Sequence, residues 1–466
     1  MLTRPSLLLL LLVACSPEAA TSVDDAQQAL TVTAVAAEAT PAVATPVRTD
    51  PALRQRLTAA GLRPLPPAPP VSDALFNLGQ ALAFDKELSG NRDTSCMTCH
   101  HPQLGSDDDR SLPAGAGGQG LGADRVGGET IARSAPPLFN LHVPRAMFWD
   151  GRVARRPDGS FDTPAGPALT PGMQATLTFG AAAAQAMFPV TNAAEMRGAP
   201  GSNELADLAD TDFAGIWSAL MDRLGAIPAY VDLFEAAYPG QSFANMTFAH
   251  AANAIAGFEI RAFEATGSPV ERYLNGDDAA LDPLAQRGAA AFVTGGCARC
   301  HSGPGLSDQV PHTLALPQIG PGTGGGPSGL EDLGTFDITG DPRHRYAFKT
   351  PMLTQVAETG PWGHAGQYNT LEGFIGHYRN APADLRDYDP QASLDDPALW
   401  SQHVTAADAA MLANLAPQLR GPQPPINVAA IETFLRALTD PSASDLSWTV
   451  PGEVPSGADV EWVGTP

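Results

Sequence analysis

Four of the five cysteines in this chain stand in two matching frames, Cys96-Met97-Thr98-Cys99-His100 and Cys297-Ala298-Arg299-Cys300-His301. Two thiols at this spacing have three chemistries open to them. They can cycle as a redox dithiol, supply half of a zinc site, or form thioethers to the vinyl groups of a haem whose iron takes the next histidine. A redox dithiol needs no histidine behind it and belongs in a βαβ setting that the sequence does not offer. A four-cysteine zinc site leaves both histidines without a task. Two such frames, with only Cys15 outside them, point to two covalently bound haem c groups. Cys96, Cys99 and His100 would hold one, and Cys297, Cys300 and His301 the other.

The elements that must carry these frames repeat as well. Leu78-Gly79-Gln80-Ala81-Leu82-Ala83-Phe84 precedes the first frame, and Gln286-Arg287-Gly288-Ala289-Ala290-Ala291-Phe292 precedes the second. Each reads as a short helix carrying a small residue and an aromatic, which resembles the first helix of a cytochrome c domain, where glycine lets a second helix cross closely and phenylalanine packs near the haem edge. The frames lie about 200 residues apart. The expected fold is therefore mainly α, with two cytochrome-c-like haem domains. The 46 glycines and 44 prolines imply long loops between their helices. The expected boundaries are 51–240 for the N-terminal haem domain and 241–440 for the C-terminal one, with a tail at 441–466 that carries no functional signal. A helix is predicted over 247–265, with Phe248, Ile255 and Phe258 on its apolar face. His250 on that helix is expected to bond backbone or solvent rather than a metal.

The formal charge of −23 argues against nucleic acid as a partner, because so acidic a surface repels phosphates. Arg4 followed by an apolar run reads as an export signal over residues 1–15, too short to span a bilayer. Its end, Leu12-Val13-Ala14-Cys15, resembles a bacterial lipobox, in which Cys15 would carry lipid. An ordinary signal with an incidental cysteine is the other reading. Residues 16–50, rich in Ala, Thr, Val and Pro, read as a flexible tether. The expected location is the periplasm, with a lipid anchor in the outer membrane as the only membrane contact.

Four ordered segments carry a family resemblance: ALAFDKELSGNRDTSCMTCHHP (81–102), RSAPPLFNLHVPRAMFWDGRV (133–153), QAMFPVTNAAEM (185–196) and FKTPMLTQVAETGPWGHAGQYNTLEGFIGHY (348–378). Across roughly residues 73–438 the chain resembles the bacterial dihaem cytochrome c peroxidase and MauG superfamily. The resemblance implies roles for particular residues. Trp149 takes the position of the tryptophan that couples the two haems. Gln185, Pro189 and Glu195 take distal-pocket positions above the peroxidatic haem, where Glu195 relays a proton during peroxide cleavage. Tyr378 takes the position of the second haem's remaining iron ligand, with the adjacent His377 as the alternative, and His364 stands close to that haem. A phenolate ligand lowers haem potential, whereas methionine at this position raises it. Thr359, Pro361 and Ser134 match the positions around an interhaem calcium ion, although the family has asparagine where Ser134 stands.

Two departures select a branch of that superfamily. Many dihaem peroxidases carry a histidine in the loop behind the first frame, and residues 102–130 contain none. The loop therefore supplies no blocking ligand to the first haem. Together with Tyr378 this resembles the MauG-like branch, which includes MbnH and uses peroxide and high-valent iron to oxidise a side chain of a partner protein. A reductive peroxidase fed by a small cytochrome c or cupredoxin is the alternative, and a non-catalytic electron carrier fits least. A Gly/Pro/Ala-rich insertion at 154–184 reads as surface-lying, either a docking face or a tolerated loop.

Overall fold

Ser72 starts the helix before the first frame, its hydroxyl oxygen accepting a hydrogen bond from the Leu75 N–H at 3.3 Å. Asp282 does the same before the second frame, its carboxylate accepting from the N–H groups of Leu284 and Ala285. In this computed structural model, residues 51–421 and 423–463 are described. The signal, the tether and Cys15 lie outside them. Eight helices organise the two sites: α1 Pro51–Ala59, α2 Asp73–Phe84, α3 Phe213–Gly225, α4 Pro228–Ala237, α5 Phe248–Ala262, α6 Pro283–Thr294, α7 Leu371–His377 and α8 Val428–Arg436. Strands are two or three residues long and form only small ladders. The architecture is the expected mainly α one.

Each frame is held by a pair of crossing helices. A Cβ on Gly79 in α2 would collide with the Ala254 carbonyl oxygen in α5, and a Cβ on Gly288 in α6 would collide with the Ala430 carbonyl oxygen in α8. The crossings bring aromatic rings together on either side. Phe258 packs on Phe84 with ring centroids 6.1 Å apart, and Phe434 on Phe292 at 5.1 Å. His250 completes the N-terminal cap of α5, its Nδ1 accepting from the Thr247 N–H at 3.1 Å. That is the backbone role expected of it.

Two apolar cores draw helices from both sides of the expected boundary at residue 240. Helix α5 belongs to the first core, because Phe248, Ile255 and Phe258 bury their rings and methyls against α2. Helix α1 belongs to the second core, where Leu53 and Leu57 join Phe292 and Phe434. Leu62–Arg63 then pairs in parallel with Gly303–Pro304, just behind the second frame. The segment expected to be an idle tail returns to the first core. Leu446, Val450 and Val454 are buried there, and the Gln80 side-chain amide donates to the Thr449 carbonyl at 2.7 Å. The insertion is only partly on the surface. Leu169, Leu177 and the run Ala181 to Ala184 are buried, because small side chains let that short helix lie against α5.

Two outcomes follow from this packing. Gly79→Ala is expected to destabilise the holoprotein by about 1–3 kcal/mol, as overpacking does, read by denaturant unfolding. Removing residues 441–466 uncovers apolar contacts worth about 1.5–3 kcal/mol per large side chain, and the calorimetric melting temperature should fall.

Candidate haem sites and the residues between them

The first frame forms a single helical turn, Cys96–Cys99. Its geometry is set from both sides. The Ser95 N–H donates to Thr98 Oγ1 at 2.9 Å, and the Thr98 hydroxyl donates to Glu461 Oε2 at 2.6 Å. The returning C-terminal segment thus grips the residue between the two attachment cysteines. Lys86 pairs with the same Glu461 at 3.1 Å. His101 is buried and faces away from this role, its Nε2 against the Glu461 carbonyl at 3.1 Å.

The donor set fits haem c at both frames. Cys96 and Cys99 line one cavity of about 690 Å³, while Cys297 and Cys300 line a second, narrower one of about 180 Å³. Burial pushes the Cys96 thiol up to about 12 and those of Cys297 and Cys300 up to about 11, and raises Cys99 well above its usual value. Because the two pairs open into different cavities, the four sulfurs do not converge on one zinc position. The histidines are placed as iron ligands need to be. His100 Nδ1 faces the Ser106 carbonyl at 3.3 Å and His301 Nδ1 faces the Leu306 carbonyl at 3.1 Å. Burial pushes both imidazoles down to about 4, so each is neutral with its proton on Nδ1 and its Nε2 lone pair available to a metal.

Trp149 lines both cavities. Its indole N–H donates to the Ser134 carbonyl at 2.9 Å, and its own carbonyl accepts from the Lys349 N–H at 2.8 Å. The preceding residue, Phe148, has φ +66°, a conformation disfavoured for a bulky side chain. The Arg152 guanidinium lies over its ring at 3.5 Å.

Gln185, Pro189 and Glu195 all line the first cavity, together with Cys96, Cys99 and His100. Glu195 sits in a five-residue π-turn, Ala193–Arg197, which Asn192 caps by accepting from the N–H groups of Ala194 and Glu195. The histidine-free loop holds this turn in place: the Ala116 N–H donates to the Ala194 carbonyl at 2.9 Å, and a Cβ on Gly115 would strike that same oxygen. Burial raises the Glu195 carboxyl above its usual range, with Arg152, 4.0 Å away, and Arg133 partly offsetting it. Arg133 bridges Asp150 at 2.5 Å and Asp332 at 2.6 Å, and Arg152 bonds Asp150 at 3.0 Å.

At the second cavity the structure separates the two candidate ligands. Tyr378 lines it beside Cys297, Cys300 and His301, and its hydroxyl has no hydrogen-bond partner among the described residues. Burial raises its phenol well above the usual range. His377 is fully buried away from the cavity, with Nδ1 2.8 Å from Asp384 and Nε2 2.9 Å from the Leu314 carbonyl. His364 lines the second cavity and stacks on Phe348 at 3.6 Å. Ser134, Thr359 and Pro361 line the same cavity, together with Asp107. Phe292 lines it too, but Phe84 packs on His101 at 6.3 Å instead of lining the first.

Sequence reasoning missed several residues of these walls. Arg133, Asp150 and Arg152 form the charged chain beside Glu195. Glu259 lines the first cavity from α5, its Oε2 without a hydrogen-bond partner among the described residues, and burial pushes it up to about 8. It stands four residues after Ile255, so a carboxyl on an otherwise apolar helix face was the available signal. Lys349 had no periodic signal to mark it.

Comparison with known proteins agrees with this geometry. The family model described as di-haem cytochrome c peroxidase matches residues 73–279. Cytochrome c551 peroxidase of Pseudomonas aeruginosa is 31% identical over 67% of this chain and 73% of its own length. The methylamine utilization protein MauG of Methylorubrum extorquens is 30% identical over 70% of this chain and 74% of its own. Among solved structures, a MauG-like protein associated with microbial copper homeostasis aligns with TM-score 0.52 at 25% identity, over 82% of this chain and 94% of that one. The diheme peroxidase BthA of Burkholderia thailandensis shares the fold, with TM-score 0.55 at 19% identity over 82% and 96%. With two CxxCH frames in separate cavities, a tryptophan shared by both and relatives matched across most of their length, the chain belongs to the dihaem cytochrome c peroxidase and MauG family, oxidoreductases that carry two haem c groups.

Proposed function

We propose that this enzyme takes hydrogen peroxide into the first cavity and uses it to oxidise a side chain of a partner protein, in the manner of the MauG-like branch. The observation that carries the reading is Tyr378, which lines the second cavity with a hydroxyl that no described residue engages. Haem, when bound, supplies iron that reacts with peroxide and exchanges electrons with its surroundings. The chain's own residues do the rest. Cys96, Cys99 and His100 hold one group, and Cys297, Cys300 and His301 the other, with Tyr378 as a further ligand that favours the oxidised metal. His100 is the single imidazole among the described residues lining the first cavity, which supports a site that needs no prior reduction.

Glu195 takes the proton from the inner peroxide oxygen and returns it to the leaving one, a general acid–base task that suits a carboxyl raised above its usual range. Gln185 and Pro189 shape the pocket around it, and Arg152 limits how far burial raises its pKa. Trp149, common to both cavities, provides the electronic contact between them. A calcium ion is part of this reading: Thr359, Pro361 and Ser134 are among the residues that line the second cavity, and oxygen ligands suit that ion. So is a periplasmic location with a lipid on Cys15 anchoring the chain to the outer membrane. Among the described residues no helix is long and apolar enough to cross a membrane. A reductive peroxidase drawing electrons from a small redox protein is the second reading, favoured by the 31% identity to a cytochrome c551 peroxidase.

Stopped-flow mixing of the all-ferric holoprotein with hydrogen peroxide, without a donor, distinguishes the two. A rapid change in both haem spectra is expected, and a reaction that waits for reduction of one haem would favour the reductive peroxidase. In the same assay Glu195→Gln, which cannot carry the proton, should slow the reaction by about 10²–10⁴-fold while both haems remain attached. Tyr378→Met should raise the midpoint potential of the second haem, measured by redox titration.

A further inference from the structure

Lys349 lines both haem cavities beside Trp149, and its backbone N–H donates to the Trp149 carbonyl at 2.8 Å. Its ammonium makes no hydrogen bond or ion pair with any described residue. The other cations on these walls are accounted for. Arg133 is held by Asp150 and Asp332, and Arg152 by Asp150. Arg299, on the second cavity, is exposed to water. Lys349 is half-buried and has no such partner: Pro351 and Met352 line both cavities with it, and burial lowers its pKa to about 8. An ammonium in such a place needs an anion. Each haem carries two carboxylates at its edge, and both cavities are built to hold one.

We propose that Lys349 is the counter-charge to a haem carboxylate at the wall shared by the two cavities, and that it thereby raises the reduction potential of the haem it touches. The sign follows from electrostatics, because a nearby positive charge stabilises the reduced metal, which carries one positive charge fewer. The inference rests on the family's two haems and not on the choice between protein oxidation and reductive peroxidase activity.

Spectroelectrochemical titration of the holoprotein, following each haem by its own absorption, provides the test. Lys349→Met should lower the midpoint of at least one haem, whereas Lys349→Arg should stay near the unsubstituted protein. Arg436→Gln, which removes an exposed charge on α8, controls for net charge and should leave both midpoints in place. Unmoved midpoints in Lys349→Met would overturn the proposal, as would equal shifts in the Met and Arg variants. Should Lys349→Met fail to load haem, resonance Raman comparison of Lys349→Arg with the unsubstituted protein decides. A displaced propionate bending band supports the contact, and an unmoved band rejects it.

Discussion

Backbone meets backbone at two helix crossings, and the absence of a side chain at Gly79 and Gly288 is what permits it. With a Cβ at either position the helices would have to separate. Phe258 and Phe434 would then lose their places against Phe84 and Phe292, and the turns carrying the cysteines would lose their backing. The same physical solution occurs twice in one chain. It explains why two frames with different intervening residues end in comparable surroundings, each with a half-buried neutral histidine whose Nδ1 faces a backbone carbonyl.

Around that repeated framework the two sites differ where their chemistry requires it. The first cavity is bordered by a buried chain of alternating charge, Asp332–Arg133–Asp150–Arg152, that ends at Glu195. Burial disfavours each of these charges, but the mutual pairing outweighs it, so Arg133 stays above its usual pKa and Asp150 and Asp332 below theirs. Glu195, at the end and without a hydrogen-bonded cation, is the member whose carboxyl rises. A group that must both take and give a proton benefits from that imbalance. Trp149 stands between these charges and the second cavity, pinned through Ser134 and Lys349.

Much of the site was legible before any coordinates. The CxxCH frames and the glycines before them were readable because covalent attachment and close crossing each demand particular residue types at short range, whereas Glu195 and Trp149 were marked only by the family resemblance. Core membership was not legible, since α1 packs in the second core and α5 in the first, an arrangement governed by which apolar faces meet. The tail carried no motif, yet Glu461 reaches Thr98 over a separation of 363 residues.

The sequence by itself determined what the chain attaches, because thioether spacing is local and its histidine adjacent. Tertiary structure decided what those groups face. Neighbouring residues on one helix point in different directions, so Tyr378 enters the second cavity while His377 turns to Asp384 and the Leu314 carbonyl. Lys349 and Glu259 become cavity walls for the same reason: burial and partnership depend on distant segments that no local pattern encodes.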